Sequence, residues 1–443
     1  MLFPGDAGMP EQGVNPVFTD FMPRVGFAYD VRGDGSLSVR GGGGMFYDTR
    51  QPGLMNSQAS QATPFSTSVA LTNPTGNFSN PYAGITDPFS GPALPPSQYV
   101  FPTPVAVVGY DPSGIMQVAL TYAYNLTIEK RLGGNTLARV AYAGSHSSHL
   151  FVNDQLNPSN YIPGSKLSAT SREHFPGYTY IGVASMSGNA TYNSLQGFIQ
   201  RRVGNSLTVT GSYAYSKSMD TLPYNTIDTP VDNSSGDPYA IPIYMPNYKS
   251  LDIGPSDFDR KSVFSSAYVW ALPKKTEGNE VLRGFLNGWE TTGIIQAQSG
   301  QPLTVLAGSD ISGTALNQDR AVWDGQRPYG NQSCNGKAVP CKGYLNAAHF
   351  SQPAAGTFGN VVKGSFRGPS YFDWDTGLSR SFPFEGSRSF ELRAEYFNVI
   401  NRNNLNNPTT TLSSGGFGAI SSSSATESPI TPRVAQFSAK LVF

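Results

Sequence analysis

The residue types that do chemistry are few in this chain, and their spacing decides what they could do together. His146 and His149 stand three apart in GSHSSHL. Two imidazoles begin many zinc sites, but in an extended segment a separation of three puts them on opposite faces, so a shared ion would need a turn there. His174 and His349 complete the histidines, and no HExxH helix or G-x-S-x-G elbow occurs. Asp257 and Asp259 flank Phe258 beside Arg260. On one face of an extended chain they could hold Ca²⁺, do acid/base work or pair with arginine, and an electrostatic anchor at a loop-to-strand boundary is the better reading. Asp310, Asp319 and Asp324 in a long loop could add oxygen ligands, although spacing alone assembles no site. Gly41 to Gly44, in RGGGGMFYD, resemble a phosphate cradle but lack both the following Lys-Ser/Thr and a helix. They read instead as glycines facing a crowded lumen or letting a strand bend. Cys334 and Cys341 frame SCNGKAVPC, whose Asn-Gly and Pro turn the chain. A loop disulfide in an oxidising compartment is the expectation, with two free thiols or a metal pair as alternatives. No catalytic residue, cofactor or metal is assigned.

Composition limits what must position these residues. Only 14% of the 443 residues are charged and 12% are aromatic, with 23 Tyr and 26 Phe, against about 25% charged in typical soluble domains. A surface partly in contact with lipid, or a very aromatic soluble β protein, fits this balance. The 48 Gly and 34 Pro imply many turns and disfavour helix bundles. Thirty Lys+Arg balance thirty Asp+Glu, so no net field draws nucleic acid, and no nucleic-acid partner is expected. No stretch approaches the roughly 18 apolar residues of a membrane helix, so any spanning is done by strands.

Those strands are legible as alternation. Leu207, Val209, Gly211, Tyr213 and Tyr215 alternate with Thr208, Thr210, Ser212, Ala214 and Ser216; Phe390, Leu392, Ala394 and Tyr396 oppose Glu391, Arg393 and Glu395, a face that needs water. About eleven segments of roughly 6 to 14 residues follow this rule, near the length that crosses a bilayer when tilted. They lie at 24–30, 37–47, 117–130, 136–144, 191–201, 207–216, 261–272, 289–299, 371–382, 389–399 and 434–443, with a weaker candidate at 178–187 as an extension or loop hairpin. Tight turns at 31–35, 131–135, 202–206 and 383–388 alternate with excursions at 48–116, 145–190, 217–260, 300–370 and 400–433, while 273–288 is an intermediate connection in a short-turn slot. Loop length sorted so strictly between two ends is the habit of outer-membrane barrels. The loops are rich in Tyr, Phe, Pro, Asn and Ser, as in NPYAGITDPFSGPALPPSQY and DTLPYNTIDTPVDNSSGDPYAIPIYMPNY. They suit self-packed caps better than sugar or peptide docking, though both chemistries are open to them.

The segments FMPRVGFAYDVRGDGSLSVRGGGGMFYD (21–48), YNLTIEKRLGGNTLARVAYAGSHSSHL (124–150), YNSLQGFIQRRVGNSLTVTGSYAYSKSMD (192–220), GPSDFDRKSVFSSAYVWALP (254–273), GWETTGIIQAQSGQPLTV (288–305) and SFELRAEYFNVINRNNLNNP (389–408) together resemble the C-terminal part of a TonB-dependent receptor of the Oar-like group. Complete members carry a carboxypeptidase-regulatory-like domain, a plug and a 22-stranded outer-membrane barrel. The resemblance implies an all-β fold, an antiparallel transmembrane β-barrel of which residues 1–443 form a C-terminal portion in the bacterial outer membrane, with plug and N-terminal domains absent. The opening MLFPGDAGMPEQG shows no signal peptide. An odd number of strands, about half the family's barrel, leaves two open edges, so the chain is expected to be a fragment.

The same resemblance makes the last strand, VAQFSAKLVF, similar to the C-terminal signal read by the barrel-assembly machinery, with Phe437, Leu441 and Phe443 as its residues. The partners it implies are outer-membrane lipid, the assembly machinery, an extracellular ligand, and the TonB complex only through a plug. The function expected is uptake of an oligosaccharide, peptide or metal chelate, not enzymatic turnover. The alternatives are a surface-exposed binding or adhesion protein without transport, and a soluble all-β carbohydrate-binding or hydrolytic protein.

Overall fold

The computed structural model of the chain describes residues 7–8, 18–48, 75–87, 105–110, 117–133, 135–223, 239–274, 276–277, 279–316, 319–330, 334, 340–384, 388–422 and 432–443. Its strands in chain order are β1 (Arg24–Asp30), β2 (Leu37–Asp48), β3 (Val105–Tyr110), β4 (Ala119–Arg131), β5 (Thr136–Gln155), β6 (Tyr178–Val203), β7 (Leu207–Asp220), β8 (Gly254–Pro255), β9 (Ser262–Ala271), β10 (Trp289–Gln298), β11 (Pro302–Leu303), β12 (Val322–Trp323), β13 (Phe350–Ser351), β14 (Phe366–Arg367), β15 (Tyr371–Pro383), β16 (Ser389–Phe397) and β17 (Val434–Val442). One sheet runs in the order β1-β2-β4-β5-β6-β7-β9-β10-β15-β16-β17, and every neighbour on that path is antiparallel. β3 joins it in parallel to β6 and β8 pairs with β7. Among the described residues β1 and β17 remain at opposite edges of the path, and the sheet is not closed.

Register shows why alternation sufficed to find these strands. Val39, Ile128, Val140, Gly197, Tyr213, Phe264, Ala297 and Phe372 are successive cross-strand partners from β2 to β15. One residue along, Ser38, Glu129, Arg139, Phe198, Ser212, Ser265, Gln296 and Asp373 form the adjacent row. A slip of one residue would exchange an apolar row for a polar one, so the two-residue period pins the register across the sheet. Side chains on the apolar face are open to the surroundings: Val140 is 55% exposed and Phe437 70%. Two glycines on this face are roofed by neighbouring rings. A Cβ on Gly144 would lie 2.5 Å from the Tyr124 ring, and one on Gly293 would lie 2.5 Å from the Tyr268 ring. The missing side chain is the space each ring occupies.

Two elements exceed what periodicity predicts. The segment expected at 136–144 continues to Gln155, and the segments 178–187 and 191–201 are one strand, β6, of 26 residues. At about 3.3 Å per residue β6 extends for roughly 86 Å, well beyond the 9–11 residues that a tilted strand needs to cross a bilayer. The hairpin β5–β6 therefore stands beyond the spanning zone, bent where the register shifts between Ser147, Leu150 and Val152 and where His149 adopts φ 56°. The connection 273–288 contains a short helix, α1 (Glu280–Leu286), capped by the Asn279 side chain accepting from the Val281 N–H at 2.8 Å. Its carbonyls at Gly284 and Phe285 accept hydrogen bonds from the Arg380 guanidinium on β15, which ties this connection to the sheet.

Neither face of the sheet is the protein's core. The buried clusters lie in the long connections: Leu303, Val305, Ala321, Leu345, Phe350, Val361 and Phe366 form one; Cys334, Cys341, Leu405 and Ile420 a second; Val152, Leu222 and Tyr239 a third. Aromatic rings knit the first cluster edge to face, with Trp323 and Phe350 at 5.3 and 5.2 Å from Phe366. Among the described residues, the aromatic rings of excursion 299–370 are thus spent on packing against one another.

Candidate functional site

The described parts of the connections after β5, β7, β10 and β16 pack on one another, forming a loop cap. Their meeting point is a set of buried charges. Lys363 extends its ammonium group to Asp220 Oδ1 at 2.8 Å and to the Leu222 carbonyl at 3.3 Å, and lies 3.9 Å from Asp257. Arg320 donates to Asp252 Oδ1 at 2.5 Å, and Asp252 Oδ2 accepts the Ala240 N–H at 2.8 Å. Arg367 donates to Asp259 Oδ2 at 2.5 Å while Asp259 Oδ1 accepts the Ser218 N–H at 2.7 Å. Strand end 218–222, loop 240–259 and excursion 299–370 are thereby bolted together.

Burial governs these groups. Desolvation pushes the Asp252 carboxyl above the ordinary carboxylate range, opposed by the Arg320 guanidinium and the Ala240 N–H. Such charges are expensive to remove from water and tolerable only when paired and hydrogen-bonded. Asp257 and Asp259 accordingly serve as the anchor their position at the loop-to-strand boundary suggests, and Arg260 donates to the Ser299 carbonyl at 3.1 Å across to β10's end. The network's other members, Asp220, Asp252, Arg320, Lys363 and Arg367, carry no local signal. Partners in it lie 68, 108 and 143 residues apart.

The other expected groups separate. His146 pairs across the sheet with Tyr122 and Thr191, whereas His149 occupies the bulge beside Ser148. His174 stacks edge-on against Tyr244 at 4.9 Å. His349 Nδ1 lies 2.9 Å from Asp324 Oδ2, and Asp324 also accepts the Gln326 N–H at 2.8 Å. Those two contacts, the amide first, hold the Asp324 carboxyl below its usual range. Asp310 and Asp319 come together in one turn, and Asp324 is elsewhere. Among the described residues no group of three or more His, Cys, Asp or Glu side chains is arranged for a metal ion. Gly41 lies in β2 beneath the Phe27 ring, 2.6 Å from where a Cβ would be, and a Cβ on Gly44 would come 2.9 Å from the Arg24 side chain. The glycine run is strand, with its neighbours filling the space on both faces.

Cys334 and Cys341 are joined by a disulfide with Cα atoms 5.9 Å apart. Both are buried against Leu405 and Ile420, and Cys341 and Ile420 exchange backbone hydrogen bonds of 2.8 and 2.9 Å. The bridge closes a small loop within excursion 299–370, and the backbone bonds to Ile420 fasten that loop to the connection before β17. Of the two aromatic-rich stretches, residues 88–99 and 224–238 lie outside the described residues, as do residues 1–6 and 9–13 of the opening segment. On β16, Arg393 reaches Glu391 and Glu395 at 3.2 and 3.4 Å, and on the same face Arg40 and Glu129 pair at 3.0 Å. This polar face has the character of a wetted lumen wall. In β17, Phe437 and Leu441 lie on the apolar face, opposite Ala394 and Phe390.

Comparison with known proteins agrees with this architecture. The profile of the family described as "Outer membrane beta barrel domain" matches residues 1–436. Among solved structures, the chain is similar to the outer membrane transporter YddB from Escherichia coli (11% identity, TM-score 0.47, 93% of this chain and 39% of that one). It is also similar to the ferripyoverdine receptor of the outer membrane of Pseudomonas aeruginosa (13%, 0.43, 96% and 34%) and to the siderophore receptor PirA from Acinetobacter baumannii (10%, 0.43, 95% and 40%). The chain spans about two fifths or less of the length of these structures. The curated proteins contain no match. An antiparallel sheet with a bare apolar face, a charged opposite face and one end crowned by packed loops, matched by this profile over almost its whole length, has one home: the chain belongs to the outer-membrane β-barrel domain family, and its place is the bacterial outer membrane.

Proposed function

We propose that residues 1–443 are the C-terminal part of the barrel of a TonB-dependent receptor, which takes up an oligosaccharide, a peptide or a metal chelate. The supporting observation is the asymmetry of the connections. Tight or short connections join β1–β2, β4–β5, β6–β7, β9–β10 and β15–β16, while the opposite end carries a loop cap with its own cores and ion pairs. A cap so ordered is suited to hold an extracellular ligand over a lumen lined by Glu129, Arg40, Glu391, Arg393 and Glu395. In the complete receptor a plug would couple ligand release to the TonB complex. The buried carboxylates Asp220, Asp252 and Asp259 are engaged by Lys363, Arg320 and Arg367, which favours binding over enzymatic turnover.

We also read Phe437, Leu441 and Phe443 as residues presented to the barrel-assembly machinery. Replacing Phe443 with Ala is expected to lower the amount of protein in the outer membrane without altering its synthesis, as blotting of fractionated cells would show; unchanged levels would remove that role.

The transport reading is tested with the complete gene. Uptake of labelled oligosaccharide, peptide and iron-chelate panels is compared in wild-type cells, in cells lacking the gene and in cells lacking TonB. Loss of uptake of the same compound in both deletions is expected. Uptake that survives in both, with surface attachment lost when the gene is removed, would assign the protein to adhesion instead.

A further inference from the structure

One turn of the loop cap is built differently from the rest. Asp220, Asp252 and Asp259 are each buried and each reach a Lys or Arg nitrogen within 2.8 Å. Asp319 is equally buried, at 1% exposed, and among the described residues pairs with no cation. Its Oδ2 accepts the Ile311 and Ser312 N–H groups, both at 2.6 Å, while its Oδ1 is buried without a hydrogen-bond partner. Against the same turn stands a second carboxylate, Asp310, whose oxygens accept from Thr314 N–H at 3.0 Å, Ala315 N–H at 2.8 Å and Ser312 Oγ at 3.2 Å. Ser312 and Thr314 are themselves buried, at 1% and 0% exposed, with their hydroxyl oxygens 2.9 Å apart. Arg172 reaches this turn, but gives its Nη2–H to the Gly313 carbonyl at 2.6 Å and not to either carboxylate.

The buried Asp319 carboxylate, with one orphaned oxygen, and the half-buried Asp310 that shares Ser312 with it form a negative site with no side-chain counter-ion among the described residues. A buried charge needs a partner, and where the protein supplies none an ion can. We propose that Asp310, Ser312, Thr314 and Asp319 hold a hard divalent cation, with Ca²⁺ the best fit. All the donors are oxygen, which disfavours the softer N- and S-seeking metals. Ca²⁺ accepts six to eight oxygens in irregular geometry, completed by carbonyls and water, whereas Mg²⁺ demands a near-ideal octahedron. Only two carboxylates contribute, so the affinity should resemble that of extracellular calcium modules, with a dissociation constant on the order of 0.1–1 mM. The bound ion would lock the turn to Ser159, whose N–H donates to the Thr314 carbonyl at 2.8 Å, and thereby join excursion 299–370 to the β5–β6 connection. This inference stands whether or not the barrel transports anything.

The test uses the full chain extracted from outer membranes in detergent and stripped with a chelator. Titration with CaCl₂, followed by calorimetry and by resistance of the loop cap to protease, is expected to show one saturable site per chain. Asp319→Asn and Asp310→Asn should each weaken it at least tenfold, and MgCl₂ should compete poorly. Should both variants fail to fold, Thr314→Val, which keeps both carboxylates and the shape, is expected to weaken binding several-fold. Absence of saturable Ca²⁺ binding in the wild type, or binding that survives unchanged in the variants that fold, would overturn the site.

Discussion

Lys363 carries its ammonium group into a place where 1% of the side chain meets solvent, and Asp220 beside it is 2% exposed. Replacing Lys363 with Met keeps the volume of the stem but strands a buried carboxylate. The expected loss is about 3–5 kcal/mol in the stability of the loop cap, read by chemical unfolding, and the double variant Lys363→Met with Asp220→Asn should regain part of it. An exposed residue behaves otherwise. The Asp324 carboxyl, held low by the Gln326 N–H and by His349, lies below its unfolded value of 3.8 when folded. A depressed carboxylate stabilises the fold above the unfolded value and loses that contribution as pH falls through the folded one. Protection of the Gln326 amide against hydrogen exchange, corrected for the intrinsic rate, is therefore expected to drop below about pH 3.8. The Asp324→Asn protein should show no such step.

The strands are defined by what each face touches. Leu126 lies midway along β4 between Gly41 and Tyr142 on the apolar face, and Thr127, one residue on, lies between Arg40 and Ala141 on the polar face. Arginine at position 126 would meet hydrocarbon, and arginine at 127 would meet water. Leu126→Arg is expected to cost about 2–4 kcal/mol of folding free energy in lipid vesicles, and Thr127→Arg close to nothing. Equal costs for the two would mean that the faces had been assigned wrongly. The long hairpin β5–β6 carries a different lesson. Its first turns follow the spanning alternation, but past Ser147 the strands continue because β3 and the loop cap give them partners, and Val152 becomes fully buried in the third cluster. Local pattern marks where a strand can lie, and neighbours decide how far it runs.

At the scale of the molecule, sheet and cap are stabilised by different physics. The sheet relies on lipid for its apolar face, while the cap has interiors of its own, tied by ion pairs and by the Cys334–Cys341 bridge. Replacing both cysteines with Ser should cost about 2–3 kcal/mol, as expected for freeing so short a loop. The strands should persist in circular dichroism while protease begins to cut the cap near Ile420. Cleavage or unfolding of the sheet itself would show that the two parts are not separable. The eleven spanning strands, their two faces and the sorting of short from long connections were readable in the chain, because a two-residue period and Gly or Pro at turns are local properties that survive any rearrangement elsewhere. The charged anchor at Asp257 and Asp259 was legible for the same reason, as both stand at a strand boundary. That Asp252 meets Arg320, that Asp220 meets Lys363 and that Asp310 joins Asp319 but not Asp324 emerges only from the folded packing. Those choices are made by burial: once long loops exclude water together, each charge must find a partner among whichever residues the packing brings near, however distant they are along the chain.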